Sequence, residues 1–163
     1  MTEAEIAAAL TEFDAVWLTL WAEARGEPIE GQIAVGNVIR NRVQADLAGD
    51  DQPDWWGEGW KAVCLKPQQF SCWTRGADEN HRLLIEKASL VVSDYAERST
   101  QRSDPIIRQI KYVTEGLLNG ALLDNTGGAV QYLTRQLYHA NPPRWAQGPH
   151  LRVHTFGSQV FLA

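Results

Sequence analysis

The sequence has little of several features that mark particular protein classes. Its 163 residues contain two cysteines, Cys64 and Cys72, and no Cys-x-x-Cys spacing. Two cysteines are too few for a disulfide framework or for a cysteine-based zinc site. One bridge between them is an open alternative to two buried free thiols, and the free thiols are the expectation we favour.

Long uncharged runs and concentrated positive charge are also missing. Without such a run the sequence predicts no membrane span. A net charge of −5 with scattered Lys and Arg makes nucleic acid an unexpected partner. The start, Met-Thr-Glu-Ala-Glu, has neither the basic nor the apolar segment of a secretory signal, so we expect synthesis in the cytoplasm without a signal peptide.

What is present is an ordinary globular composition, with 44% hydrophobic and 21% charged residues. We therefore expect one domain over residues 1–163, acting as a monomer. Apolar residues at helical spacing predict helices over 3–13, 15–25, 28–44, 81–98 and 105–119.

Two further segments lack helical spacing. Residues 46–60 are expected to form a loop that carries Trp55, Trp56 and Trp60. Residues 152–162 predict two strands joined at Gly157-Ser158. The fold class is thus α+β, mainly helical, with a small C-terminal β-hairpin.

Glu23 is the side chain with the clearest chemical potential. It lies at the end of the second predicted helix, near Trp17 and Trp21 and close to Pro28, which ends that helix. The negative end of the helix dipole and the loss of water beside tryptophan both favour a protonated carboxyl, which is what a general acid for glycosidic bonds needs. A surface ion pair with Arg25 is the ordinary alternative, and spacing alone does not exclude it.

Three blocks of sequence resemble a known family. From Trp17 to Val43 the chain contains Glu-Ala-Arg-Gly-Glu-Pro and then Gly-Gln-Ile-Ala-Val-Gly-Asn-Val-Ile-Arg-Asn-Arg-Val. Pro-Gln-Gln-Phe-Ser at 67–71 and Asp-Asn-Thr-Gly-Gly-Ala at 124–129 follow in order. Together they resemble the spore-cortex-lytic (SleB-like) cell wall hydrolases. The resemblance implies a lysozyme-like domain that cuts peptidoglycan strands between N-acetylmuramic acid and N-acetylglucosamine, with Glu23 as the catalytic acid and no cofactor.

The reaction implied by the resemblance is often that of a lytic transglycosylase, in which one carboxylate acts as acid and then as base and leaves a 1,6-anhydro sugar. The alternative is a hydrolytic muramidase or glucosaminidase, which would take a second carboxylate from Glu27, Glu30 or Asp124. A non-catalytic wall-binding protein is a third hypothesis. Missing export signals and wall-binding modules favour a phage-type endolysin released through a holin.

A zinc amidase is a different class of wall enzyme, and it needs a cluster of metal ligands. His81, His139, His150 and His154 have no His-Glu-x-x-His spacing, so we expect no metal site. Arg40 and Arg42 are expected to lie on a solvated helix face, and the open alternatives are that they brace the helix corner or contact substrate.

Sugars present apolar faces to aromatic rings and hydroxyl groups to amides, and these preferences define the expected substrate-binding set. The set is Glu27, Gln69, Phe70, Ser71, Trp73, Thr126, Gly127 and Tyr132. The chain departs from the family where many members have histidine and this sequence has Gln131. Because an amide does not act as an acid or a base near neutral pH, we expect Glu23 alone to transfer protons.

Overall fold

The computed structural model describes residues 1–46, 55–74, 76, 78–93, 103–149 and 151–163. Within these ranges the chain forms seven α-helices, two short 3-10 helices and one three-stranded sheet, so the mainly helical α+β expectation is confirmed. The helices are α1 Glu3–Ala9, α2 Glu12–Ala24, α3 Ile29–Asp46, α4 Gly59–Leu65, α5 Glu79–Ser93, α6 Pro105–Leu118 and α7 Arg135–Ala140. The 3-10 helices are Ser71–Trp73 and Arg144–Ala146, and the strands are β1 Gln131–Thr134, β2 Val153–Phe156 and β3 Gln159–Leu162.

The N-terminal segment is divided where the periodicity predicts one helix over 3–13. Thr2 accepts a hydrogen bond from the Glu5 N–H, and Thr11 accepts one from the Asp14 N–H at 3.1 Å. Each pair is a capping box, which satisfies backbone donors at a helix start. The single-helix prediction is therefore wrong at its end, because the cap at Thr11 starts a second helix that contains Phe13.

Helix α2 forms the centre of the hydrophobic core. Trp17, Leu18 and Leu20 are completely buried, and the helix packs against α3, α4, α5 and α6. A helix that is apolar on nearly all sides is stable only when it is enclosed by other elements. The end of α2, where Glu23 lies, is consequently held by the rest of the fold.

The sheet has the order β1-β3-β2, and all its pairs are antiparallel. Phe156 pairs with Gln159 across the Gly157-Ser158 turn, as predicted for the hairpin. Gly157 has φ +55°, a conformation that glycine adopts without steric cost. Strand β1 was not predicted, and it adds Tyr132 opposite Phe161.

The remaining predictions are partly confirmed. Cys64 and Cys72 are both free and buried. Helix α4 begins at Gly59, so the end of the expected 46–60 loop is helical, while 47–54 lie outside the described residues. Helix α5 ends at Ser93, and the rest of the predicted 81–98 helix also falls outside them. No helix in the described ranges is long and apolar enough to cross a membrane.

Candidate active site

Glu23 is half-buried near the end of α2, where three chain segments meet. The Tyr132 hydroxyl on β1 donates a hydrogen bond to Glu23 Oε2 at 2.9 Å. The backbone N–H of Cys72, in the Ser71–Trp73 helix, donates to Glu23 Oε1 at 3.3 Å. Gln159 Nε2 on β3 donates to the Glu23 carbonyl oxygen at 3.4 Å. Both carboxylate oxygens thus have a donor from a distant part of the sequence.

Tyr132 is fixed by its strand. Pairing with β3 places it opposite Phe161, and the two rings stack with centroids 5.4 Å apart. Phe161 is fully buried and also contacts Phe156 edge-on. Burial, and next the negative charge of Glu23, raise the pKa of Tyr132 well above its ordinary value. The phenol therefore stays protonated at neutral pH and remains a hydrogen-bond donor.

The segment that carries the Cys72 N–H is anchored by side chains on both sides. Trp73 Nε1 donates to the buried Thr19 hydroxyl at 2.8 Å, and His81 Nδ1 lies 2.9 Å from the Cys72 carbonyl oxygen. Phe70 is buried in the core. Burial raises the pKa of the Cys72 thiol far above neutrality, so Cys72 contributes its backbone and not a thiolate.

Arg40 and Arg42 do not lie on a solvated face, and that expectation is wrong. Arg42 is only 6% exposed, and its guanidinium lies over the rings of Trp56 at 4.6 Å and Phe70 at 5.0 Å. Its Nε donates to the Val130 carbonyl at 2.9 Å. Arg40 Nη1 donates to the Leu122 carbonyl at 2.6 Å. Distant loops cover this face of α3, and helical spacing carries no information about such loops.

Asp124 organises a turn through its carboxylate. Its carboxylate accepts hydrogen bonds from the Thr126 N–H and hydroxyl, from the Gly128 N–H at 2.7 Å and from Asn41 Nδ2 at 3.3 Å. Burial by itself would raise the pKa of Asp124, but these donors together hold it below its ordinary value. Thr126 is fully buried in this network, and Gly127 is exposed at the turn with φ +67°.

Glu27 connects the α2–α3 corner to the hairpin. Its carboxylate accepts hydrogen bonds from the Ser158 N–H at 2.9 Å and from the Ser158 hydroxyl. A side chain at Gly157 would collide with Glu27 and Pro28, so only glycine fits beside this contact. The Glu27 carboxylate is thus occupied by the turn that joins β2 and β3.

The expected site residues are brought together only in part. Tyr132 contacts Glu23 directly, and Ser71 is exposed next to Cys72. Phe70 and Trp73 support the same segment from the core side. Two contributors were not predicted, namely the Cys72 N–H and Gln159. A backbone donor has no residue type, so the sequence held no signal for the first of these.

A groove lies beside these residues, and we call it the lateral groove. Its volume is about 450 Å³, and its lining residues are Arg42, Trp55, Trp56, Lys66, Pro67, Gln68, Gln69 and Gln131. Gln131 immediately precedes Tyr132 on β1, and successive side chains of a strand point to opposite faces of the sheet. Of the expected substrate-binding residues, the lateral groove contains Gln69.

The parts of the chain that the structure describes hold no group of three or more His, Cys, Asp or Glu side chains able to bind a metal. His81 is buried against the Cys72 carbonyl, and His154 lies close to Gly127. His150 lies outside the described residues.

Comparison with known proteins gives a consistent set of findings. Residues 26–162 match the family described as cell wall hydrolase. The fold is similar to the catalytic domain of the germination-specific lytic transglycosylase SleB from Bacillus anthracis, with a TM-score of 0.55, 19% sequence identity and 93% of each chain covered. A search of curated proteins gave no match. Glu23 lies just before the matched family range.

Proposed function

The chain belongs to the cell wall hydrolase family, and from this premise we propose that it cuts the glycan strands of peptidoglycan with Glu23 as the catalytic acid. The observation that carries the proposal is the setting of Glu23, a half-buried carboxylate that accepts hydrogen bonds from the Tyr132 hydroxyl and the Cys72 N–H. Proton transfer needs a carboxyl held in one orientation and partly shielded from water. This carboxyl meets both conditions.

The three described carboxylates considered as a second catalytic group support a lytic transglycosylase. Glu27 is bound to Ser158, and Asp124 is bound within its own turn. Glu30 is exposed in the first turn of α3. A two-carboxylate glycosidase needs a second group on the opposite side of the scissile bond. The three alternatives considered for that group are thus engaged elsewhere or exposed, which supports a mechanism with Glu23 alone.

The proposed reaction has two steps. Glu23 first gives its proton to the glycosidic oxygen as the bond to the anomeric carbon of N-acetylmuramic acid breaks, and the N-acetylglucosamine hydroxyl leaves. The Glu23 carboxylate then removes the proton from the primary hydroxyl of the same muramic residue, whose oxygen attacks the anomeric carbon. The products are a 1,6-anhydro end and a regenerated acid, and no water is consumed.

The hydrogen bonds from the Tyr132 hydroxyl and the Cys72 N–H stabilise the charged form of Glu23. After the first step Glu23 carries a full negative charge, and hydrogen bonds to a charged acceptor are stronger than bonds to a neutral one. Both donors are already in place before the reaction, so little reorganisation is needed as the charge develops. The Tyr132 hydroxyl, at the shorter distance, is the more important of the two.

The experiment that tests this proposal compares Glu23→Gln with wild type on purified peptidoglycan. Glutamine keeps the shape and one of the two acceptor oxygens but has no acidic proton to transfer, so release of soluble muropeptides should fall by a factor of about a hundred to ten thousand. Glu30→Gln makes the same chemical change at an exposed position and should retain wild-type release. Circular dichroism of both variants checks the fold. Wild-type rates from Glu23→Gln would overturn the proposal.

A further inference from the structure

We propose that His81 is a positioning residue for the reaction, because it holds Cys72 in the conformation that directs the Cys72 N–H at Glu23. This inference rests on the proposed function, since it concerns the carboxylate that is proposed to transfer both protons. It assigns a role in catalysis to a side chain of α5 whose hydrogen bond is to a backbone carbonyl and not to Glu23. The burial of the imidazole, the atom that it binds and the local backbone support the inference.

His81 is enclosed by several elements of the fold. It lies near the start of α5 and is only 7% exposed. Helix α5 packs against α1, α2 and the Ser71–Trp73 helix. An imidazole removed from water loses its hydrogen bonds to solvent, so its burial is favourable only where the ring finds a polar partner inside the protein. The partner of His81 therefore determines where the ring lies.

The hydrogen bond of His81 identifies the nitrogen that acts. Nδ1 lies 2.9 Å from the Cys72 carbonyl oxygen, and a carbonyl oxygen can only accept, so this bond requires the proton to be on Nδ1. The other ring nitrogen, Nε2, lies 3.6 Å from Glu3 Oε1, which is beyond hydrogen-bonding distance. Among the described residues, the acceptor for the ring is thus the Cys72 carbonyl.

The two backbone polar groups of Cys72 have partners from different parts of the chain. Its carbonyl accepts from His81, and its N–H donates to Glu23 Oε1 at 3.3 Å. These groups belong to the two planar peptide units on either side of the Cys72 Cα, which move relative to each other only through φ and ψ. A carbonyl held on one side therefore restricts the rotation of the N–H on the other. Without His81 the N–H would be free to turn away from Glu23.

The local secondary structure is too short to fix this N–H alone. The Ser71–Trp73 helix is a single 3-10 turn, and the hydrogen bonds of such turns have poorer geometry than those of an α-helix. Trp73 Nε1 donates to the Thr19 hydroxyl at 2.8 Å, which anchors the next residue along the chain. The side chain that holds the Cys72 carbonyl itself is His81.

The first test compares the kinetics of His81→Leu and His81→Asn. Leucine removes the donor, whereas the amide nitrogen of asparagine can take the position of Nδ1 and donate to the same carbonyl. For release of muropeptides from solubilised glycan strands, His81→Leu should lower kcat about fivefold to twentyfold, with KM within about twofold of wild type. His81→Asn should keep kcat within about twofold of wild type. If His81→Leu does not fold, His81→Met takes its place, because methionine adapts to irregular space in a core.

Amide hydrogen exchange observes the Cys72 N–H directly and needs no substrate. The rate at Cys72 is divided by the rate at Leu20, a fully buried residue of α2 whose amide reports on global unfolding. This ratio should rise at least about tenfold in His81→Leu and stay near the wild-type value in His81→Asn. A general loss of stability would accelerate both amides and leave the ratio unchanged.

The matched control is Thr114→Val. Thr114 is buried in α6, and its hydroxyl donates to the Ile110 carbonyl at 2.9 Å, so the variant also loses one buried hydrogen bond to a backbone carbonyl. Its kcat and its exchange ratio at Cys72 should equal those of wild type. A wild-type kcat or exchange ratio in His81→Leu, equal kcat values in His81→Leu and His81→Asn, or an equal loss of kcat in Thr114→Val would overturn the inference.

Failure of the proposed function gives a different result. It appears as wild-type release of muropeptides by Glu23→Gln, whatever the behaviour of His81 variants. If Glu23→Gln is inactive and His81→Leu keeps the wild-type kcat, the proposed function stands and the positioning role of His81 is wrong.

Discussion

Replacing Tyr132 with phenylalanine removes one hydroxyl and keeps the ring that stacks on Phe161. The hydroxyl of this half-buried side chain donates to Glu23 Oε2 at 2.9 Å. Hydrogen bonds to charged groups contribute about 1.5–3 kcal/mol. Because the proposed first step places a full negative charge on Glu23, this contribution belongs to the reaction more than to substrate binding.

The expected kinetic result is specific. A loss of 1.5–3 kcal/mol at the transition state lowers kcat by about tenfold to a hundredfold, while KM stays close to the wild-type value. Retention of the aromatic stack should limit the change in Tm to about 4 °C. The assay is steady-state release of muropeptides from solubilised glycan strands, together with thermal unfolding of the same preparations.

The matched control is Tyr138→Phe. Tyr138 is half-buried beside a separate small apolar cluster around Leu133. Its replacement by phenylalanine also removes one hydroxyl, but at a site outside the Glu23 contacts. Its kcat should equal that of wild type. An unchanged kcat in Tyr132→Phe, or an equal decrease in both variants, would refute the assignment of Tyr132 as the residue that positions and stabilises Glu23.

Two further predictions concern stability. Glu27→Gln weakens both hydrogen bonds to Ser158 and should lower Tm by about 2–4 °C, measured by calorimetry. A raised KM in the folded variant would reveal an added role in substrate binding. An unchanged Tm would contradict the stabilising role of the Glu27–Ser158 contact. Because the pKa of Asp124 is held below its unfolded value, its stabilising effect is present above about pH 4 and is lost as the pH falls through the folded pKa. The free energies of urea unfolding of wild type and Asp124→Asn should therefore differ at pH 7, and the difference should shrink as the pH falls below about 4. A difference that does not change with pH would count against this network.

The fold was predictable where the local pattern and the final packing agree. Helical periodicity located α2, α3 and α6, and a glycine-first turn located the hairpin of β2 and β3. Strand β1 was missed because its partner lies more than twenty residues further along the chain, and four residues carry little periodic signal. Helix α4 was missed because glycine and tryptophan surround its start.

The site was predictable to the extent that it depends on side-chain type. Glu23 and Tyr132 were both expected, and the structure places them in direct contact. The Cys72 N–H was not expected as a donor to Glu23, because the fold, and not the residue type, determines where a backbone N–H points. Arg42 was expected to face solvent. The rings of Trp56 and Phe70 that cover it belong to other chain segments, which helical spacing does not reveal. Origin from a phage stays a prediction.

The central claim is that one carboxylate, Glu23, performs both proton transfers without a water molecule as nucleophile. The most direct measurement is digestion of peptidoglycan in heavy-oxygen water, followed by mass spectrometry of the new glycan ends. Wild type should give 1,6-anhydro muramic ends that carry no heavy oxygen, and Glu23→Gln should give almost none. Free reducing ends labelled with heavy oxygen would contradict the single-carboxylate mechanism and identify a hydrolase.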